Sequence, residues 1–454
     1  MPLITLFEHQ RRPYDQLGLS PEHRGLEQIE RLNDAHGVEM LRVGRHHLGA
    51  TQYVGVWRVG DLVVQVLPKI DYGLERELEP ALNSPAYNQS VSSATHNLLR
   101  MLAYAGEFPV VEQDLASLET TPHDWLELLT RLLAAGLHRQ LQLGLERQYV
   151  GQEDDLPVIR GRWMIQQQLA RRPHVRHRFH VAYDEFREDT LLNQVFRHAA
   201  ERLLLRTREP VTRELLTDIR EWLRETAPLS QVSRQHLERV VFTRLNQRFR
   251  PAFNLARLFL ENRAFQLSVG GQELAAFTFE MPRLFEAFIG RLLLEHRQAV
   301  LPPEWSQARV RLQAQGRRLF LANRLPNEEQ VFALEPDVLI EQSGGQVLVV
   351  LDTKYKRLDP AQRRLGVDQG DIYQMLAYAQ RLNCPRLVLL YPQTAGHQSV
   401  PAVFDITGGP AQLVVAAVDL HRPLDRIEPL LDELRTILCN TAVVSDQGIF
   451  TQAL

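Results

Sequence analysis

The chain has 454 residues, of which 44% are hydrophobic and 24% charged, with a formal net charge of −3. This length exceeds what one hydrophobic core usually organises, so we expect two or three domains, and the composition excludes a disordered protein. No run approaches the roughly 18 apolar residues of a membrane span, and the first residues lack the features of a signal peptide. We therefore expect a cytoplasmic protein. The two cysteines, Cys384 and Cys439, predict buried thiols and neither a disulfide framework nor a zinc site.

The first third of the chain predicts β-structure followed by a loop. A strand is expected at 3–7, and alternation around a Gly60-Asp61 turn predicts a hairpin over 53–67. The prolines, asparagines and serines of 76–93 suit a flexible surface segment, so we expect a loop there. These features predict a β-containing N-terminal region over residues 1–94.

The middle of the chain, residues 95–264, predicts a mostly helical domain that is rich in arginine. Apolar residues recur at the helical spacing of three and four from about 95 to 148, and helices also fit 190–207, 211–225 and 233–247. Two segments, 160–187 and 234–263, each hold seven arginines against two acids. Such clusters bind DNA phosphates or are solvated helix faces. The residues that we assign to DNA contact are Arg171, Arg172, Arg176 and Arg178.

Two other polar groups of this middle segment receive structural interpretations. The histidines at 174, 177 and 180 have a spacing that could suggest a metal site, but the neighbouring arginines disfavour a further cation. A helix beginning near 190 needs groups that cap and orient it. For that role we expect Asp184, Glu185, Asp189 and Asn193.

The pattern after residue 265 predicts an α/β domain over 265–454. Three helices are expected, at 281–297, 369–383 and near 424–438. The predicted strands are 309–314, 317–322, 331–340, 346–352, 386–391 and 412–419.

A Gly-Gly turn between two apolar runs brings two carboxylates together in the predicted domain. If Gly344-Gly345 forms a two-residue loop, the register places Asp337 opposite Asp352, with Cα atoms about 5 Å apart. Lys354, two residues further on, points to the same side. Two such acids repel each other unless a dication lies between them, and oxygen ligands of this kind suit Mg²⁺ or Mn²⁺. Although Asp-x-Lys often occurs by chance, an unpaired acid ending a buried strand is costly, which favours a catalytic site.

Two predicted helices offer further polar groups. Glu286 shares a helix face with Ile289 and Leu293; it is either a third acid of the site or a boundary residue paired with Arg291. Asp371, Gln374 and Tyr378 fall on one side of the next helix, which either lines the same cleft or is only the solvated face.

Four elements in this order resemble the PD-(D/E)XK nuclease superfamily: a helical glutamate, Pro336-Asp337, Asp352-x-Lys354, and Gln374-x-x-x-Tyr378. Further motifs, spread over nearly the whole chain, resemble the McrC family, the nuclease subunit of McrBC-type restriction systems. Those motifs are Tyr53-Val54-Gly55-Val56, Leu67-Pro68-Lys69-Ile70, Arg160-Gly161-Arg162, Tyr183-Asp184-Glu185-Phe186 with Asp189-Thr190 and Asn193, and Met281 to Glu286.

The resemblance implies a Mg²⁺-dependent DNA endonuclease with Asp337 and Asp352 as metal ligands and Glu286 reaching the metal directly or through water. It also implies that Lys354 orients the attacking water, while Gln374 and Tyr378 support the site. The implied partners are double-stranded, modified DNA and a McrB-like AAA+ GTPase ring. The chain contains no Gly-Lys dipeptide and hence no nucleotide-binding P-loop, so an NTP-driven step needs such a partner.

Two other functions are compatible with the same residues. A non-enzymatic regulator could use a nuclease-like fold to dock on an NTPase ring, but degenerate folds of that kind usually lose an acid or the lysine. A stand-alone repair or type II nuclease would not need the large non-nuclease half of the chain.

Overall fold

The computed structural model shows a mixed α and β protein, as the sequence predicts. The described residues form two compact units, one of 3–105 with 274–446 and one of 125–261. This division does not test the predicted three-domain arrangement, which stays a prediction. No helix within the described ranges is long and apolar enough to cross a membrane. The structure describes residues 3–60, 62–69, 84–105, 125–170, 178–261, 274–313, 318–359, 361–393, 401–407 and 409–446.

The first unit begins with a four-stranded sheet that contains the predicted hairpin. Val59 faces Leu62 across the turn, where Gly60 has the left-handed φ of 64° that glycine tolerates best. A strand from much later in the chain, Leu274–Phe279, pairs antiparallel with Val54–Val59 and completes the sheet. Its strand order is Leu3–Phe7, Leu62–Leu67, Val54–Val59 and Leu274–Phe279; beside it lie helix Arg24–His36 and a small sheet of Arg11–Pro13, His47–Ala50 and Leu41–Val43.

The loop predicted over 76–93 is wrong for its second part, because Pro85–Tyr104 is a helix. The Ser84 side chain accepts a hydrogen bond from the Tyr87 backbone N–H at 3.2 Å, and Pro85 occupies the first turn. Serine and proline are favoured at these positions, so residues that suggested a loop are in fact helix-start signals. Residues 76–83 lie outside the described part of the chain.

A six-stranded mixed sheet forms the C-terminal part of the first unit. The segment predicted as one strand at 331–340 divides: Glu329–Leu334 pairs with Leu319–Arg324, and Val338–Glu341 enters the large sheet. The edge strand Ala402–Asp405 was not predicted. The strand order is Arg309–Leu312, Val338–Glu341, Val347–Thr353, Arg386–Pro392, Gln412–Val418 and Ala402–Asp405. The third, fourth and fifth strands are parallel to one another. The other three pairings in the sheet are antiparallel.

Helices cover this sheet much as the sequence predicts. Helix Gln369–Leu382 starts at Asp368, whose carboxylate accepts from the Gly370 N–H at 2.7 Å, and ends at Asn383 with a φ of 48°. Its Met375 and Tyr378 belong to the core cluster on one face of the sheet. The other helices are Met281–Glu295, the short Arg297–Val300 and Pro303–Trp305, and the closing Glu428–Asp446.

The second unit contains a three-stranded sheet that was not predicted. Most residues of its two long strands, Gln148–Leu156 and Phe179–Arg187, are exposed or partly exposed and many are polar, so the strands lack a sustained apolar alternation. Arg162–Trp163 pairs with the second of them. The helices of this unit are Trp125–Gln142, Ile165–Ala170, Leu191–Leu204, Pro210–Trp222, Arg234–Glu238, Gln247–Phe249 (a 3₁₀ helix) and Arg250–Glu261.

Two predictions for this unit need correction. The helix expected at 233–247 ends at Glu238, since Asn246 accepts from the Thr243 N–H at 2.7 Å and holds a turn instead. The helix near 190 is capped by Thr190, which accepts from the Asn193 N–H at 3.3 Å. Asp184 and Glu185, expected near that cap, lie in strand Phe179–Arg187.

Candidate active site

The hairpin that carries the two acids turns differently from the prediction. Gly345 donates its N–H to the Gln342 carbonyl and has a φ of 85°, while the Gln342 N–H donates to the Gln346 carbonyl. The loop therefore has three residues and ends in a left-handed glycine, a common hairpin geometry. Gln342 thus faces Gln346, one residue out of step with the predicted pairing.

A β-bulge restores the predicted register before the strands reach the acids. Glu341 pairs with Val347 but Ile340 pairs with Val349, so Leu348 is an extra residue on its strand. The pairing then continues to Val338 opposite Leu351, as predicted, and Asp337 and Asp352 are the next residues outward. The expected alignment of the acids is reached through two departures that cancel.

The bulge also determines which face of the sheet receives the acids. Val347 and Val350 lie in the same core cluster although they are three positions apart, because the extra residue shifts the alternation. Asp352 continues the side of Val350, and Asp337 continues the side of Leu339, which is in the cluster too. Both acids therefore lie at the border of the core beneath helix Gln369–Leu382.

Burial makes the paired acids difficult to ionise together. Asp352 is 1% exposed, and burial raises its pKa, opposed by the ion pair with Lys354. Asp337 is half-buried; burial, followed by the charge of Asp352, raises its pKa to about 7. The Asp337 Oδ2 atom accepts hydrogen bonds of 2.7 Å from both the N–H and the hydroxyl of Thr353, which fixes the carboxylate in place.

Lys354 connects the acids to the polar row of helix Gln369–Leu382. Its Nζ atom lies 2.5 Å from Asp352 Oδ2 and donates to the Gln374 side-chain oxygen at 2.9 Å. Gln374 donates in turn to the Tyr378 hydroxyl at 2.8 Å. Burial lowers the pKa of Lys354, but the surrounding acids, first Asp352, outweigh this and raise it, so the ammonium stays charged.

Asp371, the first member of the polar row, is also drawn into this network. It is 8% exposed and accepts a 2.9 Å hydrogen bond from Lys356, while its other oxygen lies 3.8 Å from Lys354. The row is therefore not simply the solvated face of its helix.

Glu286 is held by a residue that the sequence did not single out. Its Oε1 atom accepts a 2.9 Å hydrogen bond from the Gln313 side-chain amide, and the Gln313 backbone N–H donates to the Asp337 carbonyl at 2.8 Å. Gln313 has a left-handed φ of 47°, a strained conformation that its two contacts help to hold. The predicted alternative, a pair with Arg291, is not the contact found. The charge of Glu286 contributes to raising the pKa of Asp337.

The donor set fits a hard dication in part. Asp352 Oδ2 is buried and, within the described residues, accepts no hydrogen bond of regular geometry although Lys354 lies beside it. A buried, charged oxygen in that position suits an additional cation. No three acidic, imidazole or thiol groups of the described ranges converge into a ready metal cage. Mg²⁺ commonly takes only one or two protein carboxylates and fills its shell with water and phosphate oxygens, so Asp337 and Asp352 meet that requirement.

A second network, missed at the level of sequence, anchors the chain just after Lys354. The Tyr355 hydroxyl donates to Glu8 at 2.8 Å, and the same carboxylate oxygen accepts from the Lys69 backbone N–H at 3.0 Å. Glu8 is 6% exposed, and burial raises its pKa. The only signal in the sequence was the charged Glu8 directly after the first strand. Its contact with Tyr355 could not be predicted because the two residues are far apart in sequence.

The structure describes one of the four predicted DNA-contact arginines and does not test their role. Arg171, Arg172 and Arg176 lie outside the described residues, as do His174 and His177. Arg178 is exposed, and its carbonyl accepts from Gln168 at 2.7 Å. His180, the third histidine, is buried and bonds to Asp155 at 2.9 Å.

Comparison with known proteins identifies the family of this chain. The family model described as "McrBC 5-methylcytosine restriction system component" matches residues 48–392. No curated protein matches the chain. Among solved structures, a chain of the Thermococcus gammatolerans half-complex of McrB AAA+ hexamers with bound McrC is 23% identical, with a TM-score of 0.65 over 96% of this chain and 99% of that one. A chain of the cryo-EM structure of the McrBC complex from the same organism is 25% identical, with a TM-score of 0.50 over 65% of this chain and 88% of that one. Since the family model spans far more than half of the sequence, the chain belongs to the McrBC restriction system component family.

Proposed function

We propose that this chain is the DNA-cleaving subunit of a McrBC-type, modification-directed restriction complex and hydrolyses phosphodiester bonds with Mg²⁺ or Mn²⁺. The observation that carries the proposal is the convergence of Asp337, Asp352 and Lys354 at the end of a buried strand pair. On this proposal the C-terminal part of the first unit has the PD-(D/E)XK nuclease fold.

Asp337 and Asp352 are the residues that would hold the dication. When bound, it compensates the charge of the scissile phosphate and makes water easier to deprotonate. Asp337 would offer the oxygen that Thr353 leaves available, and Asp352 would offer its buried oxygen beside Lys354. Glu286, fixed by Gln313, is near enough to influence both acids and would reach the dication directly or through water.

Lys354 orients the attacking water and stabilises negative charge that develops on the phosphate. It can do so only if its ammonium remains charged and in one position, and the contacts with Asp352 and Gln374 provide both conditions. Tyr378 is 1% exposed, and burial raises its pKa, so it acts as a neutral hydrogen-bonding support for Gln374.

A partner protein in the complex supplies the nucleotide hydrolysis. Because the sequence has no Gly-Lys dipeptide, nucleotide hydrolysis belongs to a partner, which we identify as a McrB-like AAA+ GTPase. The similar Thermococcus gammatolerans protein is bound to AAA+ hexamers. The substrate is double-stranded, modified DNA, the modification being recognised by the partner.

The test is a reconstitution with purified chain, modified plasmid DNA and Mg²⁺, with and without a McrB-like AAA+ protein and GTP. We expect little cleavage by the chain alone, strong cleavage in the complete mixture, and none after EDTA. Vigorous cleavage at defined sites without the partner would overturn the partner-dependent function. Stimulated GTP hydrolysis with no cleavage under any condition would overturn the nuclease function.

A further inference from the structure

A cleft beside the candidate active site is lined by cations from separate segments of the chain. It has a volume of about 910 Å³ and lies between the N-terminal strands and the segment that follows Lys354. Its lining has two more cations than acids, although the whole chain has a net charge of −3. The charged residues are Arg11, Arg42, Lys69 and Arg357, opposed by Glu8 and Glu39.

Two of the four cations are exposed arginines that form no ion pair in the described ranges. Arg42 forms a 2.6 Å ion pair with Glu39 and is thus neutralised. Arg11 and Arg357 are exposed and make no ion pair or side-chain hydrogen bond within the described ranges. An exposed guanidinium is well suited to phosphate, because its planar set of donors can form two parallel hydrogen bonds.

The cations are close enough to affect one another. Burial and then the charges of Lys69, Arg357 and Arg42 lower the pKa of His9, which also lines the cleft. Burial and the charge of Arg357 likewise lower the pKa of Lys69, despite the opposing charge of Glu8. The cleft therefore has a local positive field, which would be relieved by an anion.

The cleft is connected to the candidate active site through a short, anchored segment. Arg357 is three residues beyond Lys354, so their Cα atoms are within about 11 Å of each other. Tyr355, between them, is fixed by its 2.8 Å hydrogen bond to Glu8, and Lys69 lies 5.5 Å from the centre of its ring. A strand of DNA places successive charges about 3.4 Å apart along the helix axis, so this distance corresponds to a few nucleotides.

We propose that the cleft binds the phosphodiester backbone of the DNA substrate a few nucleotides from the scissile bond, with Arg11 and Arg357 each contacting a phosphate. The inference rests on the proposed nuclease function and adds the path of the substrate. A polyanion fits better than a small anion, because the two exposed arginines that form no ion pair in the described ranges belong to different segments.

The test compares two double variants of the full chain that remove equal charge from the same compact unit. Arg11→Gln with Arg357→Gln changes the cleft. Arg426→Gln with Arg435→Gln changes two exposed arginines near the closing helix and serves as the matched control. Affinity for a short labelled DNA duplex is measured in EDTA over a range of KCl concentrations, after thermal unfolding has shown both variants to be folded.

The salt dependence distinguishes the outcomes. Each lost phosphate contact lowers the slope of log K against log salt by about 0.9, so the cleft variant should lose about two units of slope and the control none. The proposal is overturned by an unchanged slope in the cleft variant, by equal losses in both variants, or by the absence of salt-dependent binding in the unchanged chain. Cleavage by Asp352→Asn is measured separately, with the partner complex. If that variant still cleaves DNA, the proposed catalytic site fails independently of the cleft.

Discussion

Two antiparallel strand pairs in this molecule carry acids with opposite consequences. In the second unit, most residues of Gln148–Leu156 and Phe179–Arg187 are exposed or partly exposed, and their acids are solvated or bonded to neighbours. In the first unit, every residue of Val338–Glu341 and Val347–Thr353 is buried, including Asp352. An acid costs little free energy in the first setting and several kcal/mol in the second unless it is paired. A carboxylate is thus informative about function only with its surroundings.

The largest expected effect is on DNA cleavage by Asp352→Asn, measured with the partner complex. The substitution preserves size but removes a charge that holds the dication, so cleavage should fall by about 10³-fold or more, equivalent to about 4 kcal/mol. The folded state should keep its stability or gain some in metal-free buffer, and partner GTP hydrolysis should still be stimulated. Asp154→Asn, in the exposed pair, is the control and should cleave normally. Wild-type cleavage by Asp352→Asn would show that the site is elsewhere.

The next effect concerns how stability depends on pH in metal-free buffer. The pKa of Asp337 is raised from an ordinary 3.8 to about 7, so the folded state retains a proton that the unfolded state has released. Stability should then fall as pH rises from about 4 to about 7, by up to about 4 kcal/mol. Denaturant unfolding at several pH values, with Asp337→Asn as reference, measures this. Parallel stability curves for the two proteins would contradict the raised pKa.

The smallest effect should come from removing one hydroxyl. Tyr355→Phe leaves the buried Glu8 carboxylate without one of its donors, which should lower the free energy of unfolding by about 1–2 kcal/mol. Cleavage should fall only a few-fold, since Lys354 keeps its contacts with Asp352 and Gln374. Tyr149→Phe is the matched control, because Tyr149 is 72% exposed and only stacks on Phe186. Equal stability of both variants would mean that the Glu8 contact contributes nothing.

The same contrast explains which features could be predicted from the sequence. The buried strands appear as apolar runs, and the helix with Gln374 and Tyr378 has a clear period, so the C-terminal elements were found almost completely. The exposed sheet of the second unit has no such pattern and was missed. The first half of helix Pro85–Tyr104 was missed because its capping serine and proline also favour loops.

In the candidate site, the residues that lie close together in sequence could be predicted, whereas the contacts between residues distant in sequence could not. Asp337, Asp352 and Lys354 lie on one hairpin, and the register predicted for the acids was correct although the three-residue loop and the bulge that produce it were not predicted. Gln313 and Glu8 reach the site from other elements and are joined to it only by folding, as their contacts with Glu286 and Tyr355 show. No periodicity encodes such pairings, so they require the structure.

The bulge at Leu348 has a consequence for insertions and deletions in this hairpin. Shifting the register of a strand by one residue exchanges its two faces, so a three-residue loop alone would turn Asp352 away from Asp337. The extra residue at Leu348 absorbs that shift before the acids are reached. A homologous hairpin can therefore gain or lose one loop residue and keep its acids together, provided that a bulge appears or disappears with it. The number of residues between the two acids is then free to vary. What selection must preserve is that both acids point to the same face of the sheet at the ends of their strands.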